Sequence, residues 1–277
     1  MKTDWSALYT ELSLQLKSGR APEVVRRSSA ALKKVPQSRP FWDLLGAASI
    51  QTADFNTAVT AFRNSTKLDP ENANSHLNLA HALESAGQAE DAVLVLEDLT
   101  AKEPKLAVAS YRLGTQLARL KRFPKALERL ETAKNLDPKN PEILNDLGLL
   151  HKTIGNPERA RQALTAAVAA DSKFFQAHNN LGKLEREGSN WTEALAHFQN
   201  ANRLAPQDPS VSNNLGLAYG ALGYLDEAIT TFKAAIRISS RSAHLYSNLG
   251  RVLHKAGQDL AAIETLQKAI QINPHLD

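Results

Sequence analysis

The chain has 277 residues, 43% of them hydrophobic and 22% charged, with a formal net charge of +4, ordinary material for a folded apolar core. It has no cysteine, which excludes disulfides, thiolate metal sites and cysteine nucleophiles. Residues 1–38 carry seven Lys or Arg against three acids, leaving 26 of each sign from the chain's 33 and 29, so the basic stripe of a nucleic-acid binder is not expected.

The opening stretch MKTDWSALYTELSLQLKSGR never builds the unbroken apolar run of a leader, and no segment is apolar enough to span a bilayer. A cytoplasmic protein without a membrane partner is expected. Within residues 1–38, Leu8, Gly19, Ala31 and Pro36 occupy places that recur downstream every 34 residues, while Glu11, Leu12 and Val24 break the pattern. That mixture predicts a degenerate capping repeat. The run Arg26, Arg27, Lys33 and Lys34 reads as a solvated helix face.

From residue 39 the period is strict. Pro36, Pro70, Pro104, Pro138, Pro206 and Pro274 lie on one grid of 34, with Ser172 and Ser240 at its two remaining points. The units are 39–72, 73–106, 107–140, 141–174, 175–208, 209–242 and 243–276. With residue 39 as position 1, position 7 is Leu from Leu45 to Leu249, and position 20 is Ala from Ala58 to Ala262. Position 8 is Gly in six units and Ala80 in the other; position 24 is Phe62, Leu96, Leu130, Leu164, Phe198, Phe232 and Leu266. Apolar residues recur at helical spacing on either side of a break holding Gly87, Gly155, Gly223 and Gly257. Each unit is therefore predicted to be helix A over positions 2–14, a short turn, and helix B over positions 18–31. Small residues at 8 and 20 are expected to let the two backbones approach, and the closing proline to end helix B.

This pattern resembles the tetratricopeptide repeat (TPR) family, most fully at Trp42, Leu45, Gly46, Ala58, Phe62 and Pro70. Residues 209–242 follow it with Tyr219 at the second aromatic position, but with Ser212 at the first and Ser240 for the proline. The resemblance implies an all-α fold, a right-handed α-solenoid superhelix of helix-turn-helix repeats, with residues 1–38 as cap and 39–277 as seven repeats of one continuous solenoid. It also implies that positions 2, 5, 6, 9, 12 and 13 face a concave peptide-binding groove. Position 6 reads Leu44, Asn78, Arg112, Asp146, Asn180, Asn214 and Asn248; position 5 includes Asn145, Asn179 and Asn213. An amide offers a donor and an acceptor together, so a ladder of Asn180, Asn214 and Asn248 could pair with the N–H and C=O of an extended peptide. That surface resembles the groove of the TPR domain of O-GlcNAc transferases. In the competing reading, the same asparagines only bond a neighbouring helix or water.

Positions 9 and 12 add Lys183, Arg186 and Arg251, a mildly basic set that favours an acidic or phosphorylated peptide. The carboxylate clamp of chaperone-binding TPR proteins needs Lys at position 5 and Asn at position 9, and no full repeat has either. The eight histidines show no metal-binding spacing, and His76 and His178 at position 4 are expected to fill space as rings. No catalytic residue, metal site or cofactor is expected. A scaffold for protein or peptide partners follows, with the substrate-recruiting arm of a larger glycosyltransferase- or sulfotransferase-like enzyme as the alternative. After Pro274, Leu253, Leu266 and Ile270 are expected to face nothing, which invites a following domain, a partner or self-association through the last repeat.

Overall fold

The computed structural model describes residues 4–275. Its backbone divides into two compact units, Met1–Asp137 and Pro138–Asp277. The first holds α1 (Trp5–Lys17), α2 (Ala21–Leu32), α3 (Arg39–Gln51), α4 (Phe55–Leu68), α5 (Ala73–Ser85), α6 (Ala89–Lys102), α7 (Ala107–Arg119) and α8 (Phe123–Leu136). The second holds α9 (Pro141–Thr153), α10 (Pro157–Ala170), α11 (Phe175–Glu187), α12 (Trp191–Leu204), α13 (Pro209–Leu222), α14 (Leu225–Ile238), α15 (Ala243–Lys255) and α16 (Asp259–Ile272). Both are all-α, as predicted, but in the full repeats helix A covers positions 1–13 (1–14 in α13) and helix B positions 17–30, starting one residue earlier than the hydrophobic spacing indicates.

Capping sets those edges. The Asp208 carboxylate accepts from the backbone amides of Ser210 and Val211 at 2.8 and 3.1 Å, and Asn140 does the same at the start of α9, so the helix begins directly after the N-cap. Helix A ends in a left-handed turn at position 15. Gly155 (φ 80°) is typical: its N–H reaches the Lys152 carbonyl, and the Asn156 N–H reaches His151, the paired bonds of a Schellman cap. Three units place a side chain there, at Ala53, Lys121 and Ser189. Lys121→Gly should raise the unfolding free energy by about 1 kcal/mol, read from urea denaturation. Helix B breaks at an extended residue, Asp69 (φ −145°) before Pro70 and likewise Asp171 (φ −143°) before Ser172. The stop does not require proline.

Within each unit, helix B of one repeat packs on helix A of the next, and successive A helices touch. Phe198, Phe232, Leu130 and Leu164 at position 24 are fully buried. A Cβ added at Gly182 would lie 2.6 Å from the Phe198 ring; at Gly216 it would lie 2.7 Å from Phe232. Position 8 is thus small first to admit the position 24 side chain; at Gly114 and Gly148 the expected backbone approach is present too, with the Leu130 nitrogen and Ala160 carbonyl 3.1 and 3.2 Å from an added Cβ. On α1, Trp5 and Tyr9 set their rings edge-on to Phe41 of α3 at 6.1 Å. At the other end Leu253 is buried, against the expectation that it faces nothing; Leu266 is half-buried, and Ile270 is 58% exposed with Leu260 and Ile263. No described helix is long and apolar enough to cross a membrane.

Candidate functional site

The A helices of the second unit are joined by a row of asparagine pairs. Asn180 Nδ2 on α11 donates to Asn145 Oδ1 on α9 at 2.9 Å. Asn214 Nδ2 on α13 donates to Asn179 Oδ1 at 2.9 Å, and Asn248 Nδ2 on α15 to Asn213 Oδ1 at 2.8 Å. In these three repeats position 6 therefore grips position 5 of the repeat before it. Asn145, Asn179 and Asn214 are buried, while Asn180, Asn213 and Asn248 are half-buried. Four successive repeats are stitched by three side-chain amide bonds, a linkage that the sequence reading held only as its competing alternative. Each amide has two donor hydrogens and two acceptor lone pairs, so each pair still has hydrogen-bonding capacity. Among the described residues, Asn180 Oδ1, Asn248 Oδ1 and the Nδ2 groups of Asn179 and Asn213 have no protein partner.

The basic residues are distributed unevenly. Arg186 Nη1 donates to Asn214 Oδ1 at 3.4 Å, and Lys152 pairs with Glu187 at 2.6 Å. Lys183 lies half-buried one turn from both Asn179 and Arg186 on α11. Burial first, then the Lys152 and Arg186 charges, hold its ammonium below the ordinary lysine pKa. Arg251 is exposed. In the first unit Arg112 Nη1 reaches back to the Leu77 carbonyl at 3.4 Å, the same backward reach from position 6, while Asn78 is exposed. Asp43 at position 5 bonds Ser65 and Arg39, and burial raises its pKa.

One buried cluster escaped the sequence reading. Glu185 occupies position 11, where the family places an aromatic and where Tyr219 stands one repeat later on α13. Its carboxylate receives Arg161 of α10 at 2.7 and 3.2 Å and Asn190 at 2.8 Å. The Arg161 hydrogen bonds hold the Glu185 pKa below the usual carboxylate range. The signal was two simultaneous departures: a glutamate at position 11, and an arginine at position 21, where the other full repeats have Val, Leu or Ile. Beside it, His178 and His197 face each other with ring centroids 5.9 Å apart. Burial depresses both of their pKa values. His76 and His178 are buried, as expected of ring fillers. No group of three or more His, Cys, Asp or Glu among the described residues could hold a metal.

Known proteins extend this picture. The chain is 29% identical over 147 residues to mouse protein O-mannosyl-transferase TMTC1, half of this chain and 15% of that protein. It is 26% identical over 191 residues to human PEX5-related protein, 65% of this chain and 30% of that one. The chain thus spans under a third of the length of either relative. Among solved structures, YrrB, described as a TPR protein with an unusual peptide-binding site, superposes with a TM-score of 0.57 at 21% identity, over 65% of this chain and 93% of that one. Tetratricopeptide repeat models match residues 49–113, 111–172, 145–209 and 207–274, and the chain belongs to the tetratricopeptide repeat family.

Proposed function

We propose that the protein is a non-catalytic interaction scaffold whose A-helix wall in the second unit holds an extended peptide by its backbone. The observation that carries this reading is the set of three amide pairs, Asn145–Asn180, Asn179–Asn214 and Asn213–Asn248. Each pair fixes one amide by its bond to the preceding repeat and leaves further donors and acceptors unused. Fixing a side chain before the ligand arrives lowers the ordering cost of binding. A backbone ligand needs alternating donors and acceptors, which primary amides present whatever the ligand's side chains. The peptide-binding TPR neighbour YrrB supports this reading by fold. The balanced charge beyond residue 38 favours protein over nucleic acid as partner.

The stitching dictates the form of the test. Removing one member of a pair leaves a buried polar atom unsatisfied, whereas removing both is close to neutral. The paired variants Asn145→Ala with Asn180→Ala, and Asn213→Ala with Asn248→Ala, should melt within a few degrees of the parent. Their binding to an array of unrelated twelve-residue peptides should fall by about tenfold or more, as loss of two or more hydrogen bonds implies. Undiminished binding by folded variants would sink the reading. A second reading, the recruiting arm of a transferase, is favoured only by the TMTC1 match; captured peptides that are also glycosylation acceptors would support it.

A further inference from the structure

Lys183 stands out among the groove cations. Lys152 has Glu187 at 2.6 Å and Arg186 has the Asn214 amide, but no described carboxylate lies within 4 Å of the Lys183 ammonium. Its side chain is half-buried, so water only partly replaces the missing counter-ion. Three elements converge on it. Lys152 comes from α9, Arg186 lies one turn on along α11, and Asp208 stands at the N-cap of α13. Asp208 is occupied with the amides of Ser210 and Val211. Glu187 is occupied with Lys152, and Glu185 is turned away toward Arg161 and Asn190. Lys152, Lys183 and Arg186 therefore share two carboxylates, Asp208 and Glu187, both engaged with other groups, and local charge is left unbalanced. Asn179, Lys183 and Arg186 share one stripe of α11, so this surplus lies beside the amide pair Asn179–Asn214.

We propose that Lys183 and Arg186 form an oxyanion subsite that takes the side-chain carboxylate of an aspartate or glutamate on the bound peptide. The subsite rests on the groove reading for the path of the peptide; it shares the Arg186–Asn214 bond with the amides, but the Lys183 ammonium makes no bond to them. A carboxylate here gives the half-buried ammonium its missing partner and relieves its repulsion from Lys152 and Arg186. Charge-assisted bonds of this kind are stronger than neutral ones, and the attraction speeds encounter at low salt. The lowered pKa of Lys183 agrees with an ammonium held without a counter-ion.

Fluorescence anisotropy of the full chain with three labelled dodecapeptides tests the subsite: alternating Ser-Glu, alternating Ser-Gln, and alternating phosphoserine-Gln. Ser-Glu should bind at least tenfold tighter than Ser-Gln at low salt. Lys183→Gln should remove about tenfold of that preference, while Lys233→Gln, on the exposed face of α14, should change it less than twofold. Arg186→Gln should act in the same direction as Lys183→Gln. The subsite is refuted by equal binding of Ser-Glu and Ser-Gln, by a preference that survives Lys183→Gln, or by binding confined to the phosphoserine peptide. The paired asparagine variants separate the two ideas. If they lose Ser-Gln binding while the parent shows no charge preference, the groove reading stands alone; if Ser-Glu binding survives in them yet needs Lys183, only the subsite stands.

Discussion

Phe198→Ala should lower the stability of the protein by about 3–5 kcal/mol, an effect matched in the second unit by its counterpart Phe232. The ring is fully buried on α12 and fills the space left by Gly182 on α11, where even a methyl group would come within 2.6 Å of it. Gly182→Ala should cost about 1–3 kcal/mol by overpacking that same contact. The two sites are coupled. Residues 73–106 carry Ala80 and Leu96 at the corresponding positions, both fully buried. Gly182→Ala combined with Phe198→Leu should therefore cost at least 1 kcal/mol less than the sum of the single changes, since contacting residues couple on that scale. Urea unfolding followed by circular dichroism measures the cycle, and additive costs would show that the ring and the glycine do not share space. Because each repeat touches only its neighbours, amide exchange should quicken mainly in α11, α12 and the helices beside them.

Arg161→Ala should cost about 2–3 kcal/mol. It leaves the Glu185 carboxylate, whose side chain is 8% exposed, with only the Asn190 amide. Breaking a buried pair typically costs about 3–5 kcal/mol, and the lower figure reflects the Arg161 side chain, which is 35% exposed. Replacing both partners by apolar residues should undo the loss. Leu195 and Tyr219 occupy the same two positions one repeat later and pack in one cluster, so Arg161→Leu with Glu185→Tyr should recover parental stability or exceed it. Acid distinguishes the parent from this double variant. The folded Glu185 pKa lies below the ordinary 4.5, so its contribution is complete above pH 4.5 and is lost as pH falls through the folded value. The double variant should lack that acid-sensitive component, and parallel pH–stability curves would contradict the assignment.

The sequence carried the architecture because each repeat states the same packing rule. Leu at 7, a small residue at 8, Ala at 20 and Phe or Leu at 24 recur at one spacing, and only nested helices satisfy all four at once. The edges slid by one residue because hydrophobic spacing marks the buried stripe, while Asp208 and Asn140 cap the amides that open the helix. The asparagines were legible as one face of helix A but not as a network. The repeat register aligns Asn180 with Asn214 and Asn248, yet only side-chain direction reveals that its Nδ2 points back to Asn145. The Arg161–Glu185 pair was hidden for another reason. Burial of a charge is invisible until its partner is found, and that partner lies on a different helix of the preceding repeat.

The backward reach of position 6 has a bearing on how such a chain changes its length. The bonds Asn180 to Asn145, Asn214 to Asn179, Asn248 to Asn213 and Arg112 to Leu77 each join residues 35 apart in sequence. A duplication of 34 residues inside the array carries one gripping amide and one gripped amide together, so the new unit locks onto the old without any further change. A duplication one residue longer or shorter turns the amides of the new unit by about 100° around their helix and leaves both halves empty. Growth and loss by whole repeats alone is built into the seam.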